Sequence, residues 1–197
     1  MKQATLPHSD IKDGSMLNRW DYSGLAEACY SDHKQESYKK AAEFLGDSCE
    51  DWGCGTGWAR MYFKRYRGIE GSPSVFVKPE DVVDLVHYTS RTDNILMRQV
   101  LEYNTEWRQI LENVKASFRK KFCLIMLTPE VKKTRVGRYH KVYHNQQVVP
   151  GQMNPELYFN RQDIRDMFPP EQYRLREESV KTSQEYGTDW ILYVEKV

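Results

Sequence analysis

Cysteine is scarce in this chain: Cys29, Cys49, Cys54 and Cys123 are too few and too scattered for a disulfide framework. Cys49 and Cys54 lie near each other, yet no histidine or second cysteine pair completes a zinc spacing, so they read as reduced thiols and no metal is expected. No apolar run approaches the ~20 residues of a membrane span. The segment Met1-Lys2-Gln3-Ala4-Thr5-Leu6-Pro7-His8 lacks the apolar core of a signal sequence. Charge of one sign is also missing overall: a net +1 supplies no global attraction for nucleic acid or an anionic membrane, so any electrostatic steering is local. These absences lead us to expect a cytoplasmic protein without a membrane partner. At 197 residues, with ordinary charged and apolar fractions, the chain suits a single domain with one sizeable core.

What the chain does have is Asp51-Trp52-Gly53-Cys54-Gly55-Thr56-Gly57, a carboxylate followed by three alternating glycines. Glycine tolerates positive φ and carries no Cβ, so the backbone can turn sharply after a strand and bring bare amides against a ligand. The motif predicts a strand before it and a helix after it. Trp58 to Tyr66, free of Gly and Pro, fits a short helix, whereas Ser48, Cys49 and Glu50 are poor strand formers for a buried position. Further on, Arg67-Gly68-Ile69-Glu70-Gly71-Ser72-Pro73 sets an acid at the end of a second expected strand, about 20 residues past the first. A carboxylate there can accept two hydrogen bonds from a ribose diol. The dinucleotide fingerprint GxGxxG would need glycine at position 58, where this chain has Trp58, which disfavours nicotinamide or flavin chemistry.

Asp-x-Gly-Cys-Gly-Thr-Gly, Gly-Ile-Glu-Gly-Ser and Asn94-Ile95-Leu96-Met97-Arg98-Gln99-Val100-Leu101-Glu102-Tyr103 together resemble the core of class I S-adenosylmethionine-dependent methyltransferases of the small, type 11-like kind. The likeness covers roughly Ser37 to Pro129. Such enzymes commonly run the fourth strand into Arg-His-Val-Leu-Glu-His, and this chain has Gln99 and Tyr103 at the two histidine positions, so no role of those histidines carries over. The resemblance implies a Rossmann-like α/β fold: a seven-stranded, mostly parallel sheet with helices on both faces and an antiparallel last strand. It implies S-adenosylmethionine as cofactor, with Gly53, Gly55 and Gly57 lining its methionine and ribose portions and Glu70 on the ribose hydroxyls. Asp51 then either orients the loop or meets the amino group, Asp84 faces the adenine amino group, and Arg98 contacts either the methionine tail or the substrate. No Asn/Asp-Pro-Pro-aromatic tetrapeptide and no Pro-Cys pair is present, which disfavours methylation of DNA bases.

Along the chain, residues 1–36 read as a polar and aromatic N-terminal flap without clear periodicity. Gln35 to Leu45 has helical spacing with Gly46 as its stop. Val82 to Val86 reads as the third strand and Asp93 to Arg98 as the fourth. Thr105 to Phe118 is predicted as a helix, capped by Asn104 or Thr105, with Trp107, Ile110, Leu111, Val114 and Phe118 on one face. The run Phe122 to Leu127 suits a central buried strand. Residues 130–156 lack acids between Glu130 and Glu156 and gather Lys132, Lys133, Arg135, Arg138 and Lys141. This reads as a basic loop over the active-site edge, either a lid for an anionic substrate or a solvated surface loop. Asn160 to Phe168 fits a short helix ended by Pro169-Pro170, and Tyr173 to Ser183 with Trp190 to Val194 fits a terminal hairpin turning near Gly187.

Methyl transfer from a sulfonium is an in-line displacement, so positioning does much of the work. A hydroxyl or amine acceptor can still need a base, and His87, His140 and His144 are the candidates. The expected acceptor is a sugar or other small molecule, anionic ones included, with the acceptor atom open. Two other readings stand beside it: a methyltransferase-like binding protein without activity, and a nucleic-acid-binding module built on the basic segment.

Overall fold

The computed structural model describes residues 35–73, 77–144, 147–182 and 186–197. The expected N-terminal flap therefore lies almost wholly outside the described residues. Helix α1 (Gln35–Leu45) leads through Gly46, whose φ is 83°, into strand β1 (Ser48–Trp52). The glycine turn follows, then a single 3₁₀ stretch at Trp58–Tyr62 in place of the longer expected helix, and strand β2 (Arg65–Ile69). Strand β3 (Thr92–Arg98), helix α2 (Trp107–Ser117) and strand β4 (Phe118–Met126) complete the parallel part. The C-terminal strands β7 (Tyr173–Lys181) and β8 (Thr188–Lys196) form the expected hairpin, with β8 antiparallel to β4. The sheet order is β2-β1-β3-β4-β8-β7. Because β1 to β4 run parallel, the segments that leave their carboxyl ends all emerge along one sheet edge, where an open α/β sheet offers a crevice.

Helices do cover both faces. Tyr38, Ala41 and Leu45 of α1 pack with Leu96, Ile125 and Ile191, while Trp107, Ile110, Leu111 and Val114 of α2 pack with Ile95, Met97, Phe122 and Leu124 on the other side. The helical spacing of α2 was thus a sound guide to its buried stripe, although Phe118 opens β4 instead of closing the helix. Asn104 does not cap α2; its side-chain amide donates to Val100 O at 2.6 Å. The polar strand β1 survives burial because its acids are partnered. Glu50, on the α2 face, accepts from Trp52 Nε1 at 2.8 Å, Arg67 Nη1 at 3.3 Å and Tyr88 Oη at 3.2 Å. Satisfied this way, a carboxylate need not forfeit its hydrogen bonds on entering the interior.

Two expectations are corrected here. Among the described residues the sheet has six strands, not seven, because Val82 to Val86 contributes a single parallel bridge, Val82 to Glu70. The physical reason is local competition. Asp84 Oδ1 accepts from Val86 N at 3.0 Å, His87 N closes onto Asp84 O at 3.0 Å, and Asn113 Nδ2 takes the carbonyls of Leu85 and Val86 at 2.9 Å each. Groups so engaged cannot build a ladder. The basic segment, in turn, is not a loop: strands β5 (Arg135–His144) and β6 (Gln147–Tyr158) pair antiparallel as a separate two-stranded ribbon. Gly137 permits this ribbon, since a Cβ there would lie 2.5 Å from the ring of Tyr158. Beyond it, α3 (Arg161–Arg165) is shorter than expected and is capped by Asn160, whose Oδ1 accepts from Gln162 N at 3.1 Å.

Candidate functional site

The glycine turn leaves the carboxyl end of β1 with three left-handed residues, Gly53 at φ 75°, Gly55 at 57° and Gly57 at 70°. Gly53 is doubly constrained: a Cβ would fall 2.2 Å from Val100 Cγ2, so the turn packs its bare backbone against the segment leaving β3. Gly68 of β2 has a matching role, because a Cβ there would sit 2.7 Å from Cys54 Sγ. The turn is therefore wedged between the ends of its two neighbouring strands.

Its amides do not simply face outward. Gly53 N and Cys54 N both donate to Ile69 O, at 2.7 and 3.1 Å, and Gly57 N donates to Cys54 O at 2.9 Å. Gly55 N donates to Glu70 Oε2 at 2.8 Å, and Gly71 N to Glu70 Oε1 at 2.9 Å. Two motifs separated in sequence thus meet through one charge-assisted contact. A carboxylate has about four acceptor positions, and the amides of Gly55 and Gly71 engage one on each oxygen of Glu70 and fix its orientation. The expected cup of bare peptide amides is corrected accordingly: this turn offers close backbone approach and an anchored carboxylate.

Asp51 lies on the α1 face of β1, where its Oδ2 accepts from Tyr66 Oη at 2.8 Å. Burial raises its carboxyl to about 7, with the nearby Glu70 adding to the rise and Tyr66 and Arg98 opposing it. Glu102, in the 3₁₀ stretch Leu101–Tyr103 after β3, is likewise raised to about 7 by burial, although its Oε1 accepts from Leu127 N at 2.8 Å. Arg98 ends β3 on the α1 face, buried over the ring of Tyr38 and 3.4 Å from Asp189 Oδ2 at the start of β8. Arg98 Nε, Glu102 Oε2, Asp189 Oδ1 and Thr128 Oγ1 are all buried without a hydrogen-bond partner among the described residues. Burial also pushes the thiols of Cys49 and Cys54 well up, which leaves them inert at neutral pH.

The raised carboxyl of Asp51 has a definite consequence for stability. Between the unfolded value of 3.8 and the folded value of about 7, the folded protein holds a proton that the unfolded chain has lost. The contribution is full below the lower value, falls as pH rises through this window and is gone above the upper one. Each unit of separation is worth about 1.4 kcal/mol. Asp51→Asn removes this titration, so the stability of the wild type relative to the variant should fall by several kcal/mol from about pH 4 to about pH 8, as read by urea unfolding. A flat difference would place Asp51 in a wetter setting than this one.

The structure brings Asp51, Gly53, Gly55, Gly57 and Glu70 together at the ends of β1 and β2. Asp84, half-buried, lies two residues beyond the bridge to Glu70, and Arg98 emerges at the same sheet edge from β3. His87 is exposed on the turn after Asp84. His140 is engaged by buried Glu156 at 2.5 Å from its Nε2, and the side chain of His144 is outside the described residues. Sequence reasoning missed Tyr66, Glu102, Asp189 and Glu156. Of these Glu156 left a signal, as the acid that ends the purely basic stretch, and Glu102 stood in the segment that matches the signature after the fourth expected strand. Among the described residues no group of His, Cys, Asp and Glu could hold a metal ion, and no helix is long and apolar enough to cross a membrane.

No protein-family model matches the sequence, and no curated protein does. Solved structures do. The chain is similar to the 1,6-didemethyltoxoflavin-N1-methyltransferase of Burkholderia thailandensis, with 1,6-didemethyltoxoflavin and S-adenosylhomocysteine bound, at 12% identity and TM-score 0.58 over 84% of this chain and 79% of that one. The magnesium protoporphyrin IX methyltransferase of Synechocystis, with bound S-adenosylhomocysteine, aligns at 14% identity and TM-score 0.56 over 84% of each chain. An amino pentose methyltransferase from Micromonospora echinaspora, with bound S-adenosylmethionine, aligns at 12% identity and TM-score 0.53 over 86% of this chain and 94% of that one. With a sheet edge of this order and a glycine turn at its β1 end, this chain has the fold of the class I S-adenosylmethionine-dependent methyltransferases.

Proposed function

We propose that this protein is an enzyme that binds S-adenosylmethionine at the glycine turn and transfers its methyl group to a small-molecule or sugar acceptor. The observation that carries the reading is the contact of Glu70 Oε2 with Gly55 N, which joins the glycine turn to an anchored carboxylate one strand away. In this reading Gly53, Gly55 and Gly57 let the backbone approach the methionine and ribose portions, and Glu70 accepts from the ribose hydroxyls. Asp51 stands under the turn, Asp84 serves the adenine amino group from the segment bridged to Glu70, and Arg98 meets the methionine tail. The sulfonium supplies an activated methyl carbon, and the protein's share is to hold the attacking atom in line with it. Support comes from the fold and from the S-adenosylmethionine and S-adenosylhomocysteine held by similar structures.

Calorimetry with S-adenosylmethionine and S-adenosylhomocysteine tests the proposal directly. Binding by the wild type is expected, and Glu70→Ala should weaken it by at least ~1 kcal/mol through lost charge-assisted hydrogen bonds. Circular dichroism of the same samples separates lost binding from lost folding. A folded wild-type protein that binds neither compound would reject the enzyme reading, and an unchanged dissociation constant in the variant would remove Glu70 from the site.

A further inference from the structure

The ribbon β5/β6 holds a cluster that the cofactor site does not use. Glu156, only 1% exposed, accepts from Arg138 Nε and lies 2.5 Å from His140 Nε2 through the same Oε2, while its Oε1 accepts from Tyr186 Oη at 3.1 Å. Tyr186 Oη is in turn 3.0 Å from Tyr158 Oη. In the ribbon register Arg138 stands directly opposite Glu156, whereas His140 stands opposite Asn154. The Arg138 pair by itself would fasten the two strands. His140 reaches back diagonally to share that carboxylate, and its ring rests edge-on against Tyr103, with centroids 5.9 Å apart.

Tyr103 connects this cluster to the cofactor end of the sheet. It closes the 3₁₀ stretch after β3, its amide donates to Val100 O at 3.1 Å, and Val100 is the residue on which Gly53 packs. Three short contacts therefore run from the glycine turn to the imidazole. His140 keeps 35% of its side chain exposed, while the carboxylate that orients it is buried. Glu156 Oε2 faces Nε2 at 2.5 Å and accepts its N–H, the nearby Arg138 Nε directs its own N–H to the same Oε2, and no hydrogen bond among the described residues engages Nδ1. A carboxylate at one ring nitrogen sets the tautomer and leaves the other nitrogen as a proton acceptor.

Resting on the reading of the site as a methyl-transfer centre, we propose that His140, oriented by Glu156, is the base that takes the proton of a hydroxyl acceptor. A neutral amine attacks with its own lone pair and can shed its proton to water afterwards, and a carboxylate carries none. A hydroxyl group must lose its proton as it attacks, so a built base points to an O–H nucleophile. In the step, the acceptor oxygen forms its bond to the methyl carbon as the carbon–sulfur bond breaks and its electron pair neutralises the sulfonium. The hydroxyl proton passes to His140 Nδ1, and the imidazolium so formed sits against the Glu156 carboxylate. Among the described residues the charged and titratable groups facing His140 are Arg138 and Glu156 of the ribbon, Tyr103 and, through Glu156, Tyr186. The phenol rings of Tyr103 beside His140 and of Tyr186 beside Glu156 suit a ring-bearing acceptor.

The test uses the full chain, labelled S-adenosylmethionine and a panel of phenols and hexopyranosides set against the corresponding anilines and amino sugars. Methylation of at least one hydroxyl compound is expected. His140→Gln should lower its kcat about 10²- to 10⁴-fold and abolish the acid limb of the pH profile, with S-adenosylhomocysteine affinity unchanged. Glu156→Gln should lower kcat less, and added imidazole should partly restore His140→Ala, which a purely structural role would not allow. Turnover of amines alone, turnover of nothing by a protein that binds S-adenosylhomocysteine, or a His140→Gln rate and pH profile like those of the wild type would overturn the proposal. Failure to bind S-adenosylhomocysteine at all would strike the cofactor reading instead.

Discussion

Asp189→Ala should destabilise the protein by about 3–5 kcal/mol, the range for removing one partner of a buried ion pair. Asp189 is fully buried and Arg98 nearly so, and the guanidinium stands 3.4 Å from the carboxylate with its Nε unpartnered. Without Asp189 the positive charge is left, among the described residues, with the ring of Tyr38 and the carboxyls of Glu102 and Asp51, both of which burial holds partly protonated at neutral pH. Removing both charges is a different matter. Apolar residues of similar volume often replace a buried pair at little cost or with a gain, so Arg98→Met with Asp189→Leu should recover most of the stability lost by the single variant. The double variant also isolates function from folding. If Arg98 meets the methionine tail, the stable double variant loses affinity for S-adenosylhomocysteine but not for 5′-methylthioadenosine, which lacks that tail. Equal losses for both ligands would make the pair purely structural. Chemical denaturation and calorimetry on the two variants decide the matter.

Gly53→Ala should cost about 2–5 kcal/mol and abolish cofactor binding. Part of the loss is conformational, since φ of 75° places an L-residue in the left-handed region at roughly 1–2 kcal/mol. The rest is steric: the added methyl would stand 2.2 Å from Val100 Cγ2, and overpacking of this kind typically costs about 1–3 kcal/mol. Val100→Ala in the same chain relieves the clash but not the backbone strain. The double variant should therefore regain part of the stability, and its deficit relative to Val100→Ala alone measures the cost of φ. If Gly53→Ala were neutral in urea denaturation, the turn would have to be looser than its packing against Val100 indicates.

The glycine turn is legible in the residues themselves because its cause is local: three alternating residues without Cβ specify positive φ wherever they fold. Helix α2 and strand β4 are legible for a similar reason, since the spacing of Trp107, Ile110, Leu111 and Val114 and the unbroken run at Phe122 state which side is buried. Strand β1 is hardest to read, because Glu50 and Asp51 look wrong for an interior until Trp52, Arg67, Tyr88 and Tyr66 arrive as partners. The missing third strand misleads for the opposite reason. Val82 to Val86 has the right composition, but Asp84 and the distant Asn113 claim the backbone groups that pairing needs.

By itself the amino-acid order determined the turn, the acid at position 70 and the alternation of strand and helix that builds a sheet edge. Tertiary structure alone decided that Gly55 meets Glu70, that Arg98 is neutralised by a residue 91 positions away, and that His140 shares a buried carboxylate on a ribbon read as a loop. The division follows from range: backbone sterics and periodicity act within a few residues, whereas charge pairing and desolvation depend on which distant segments the fold sets side by side.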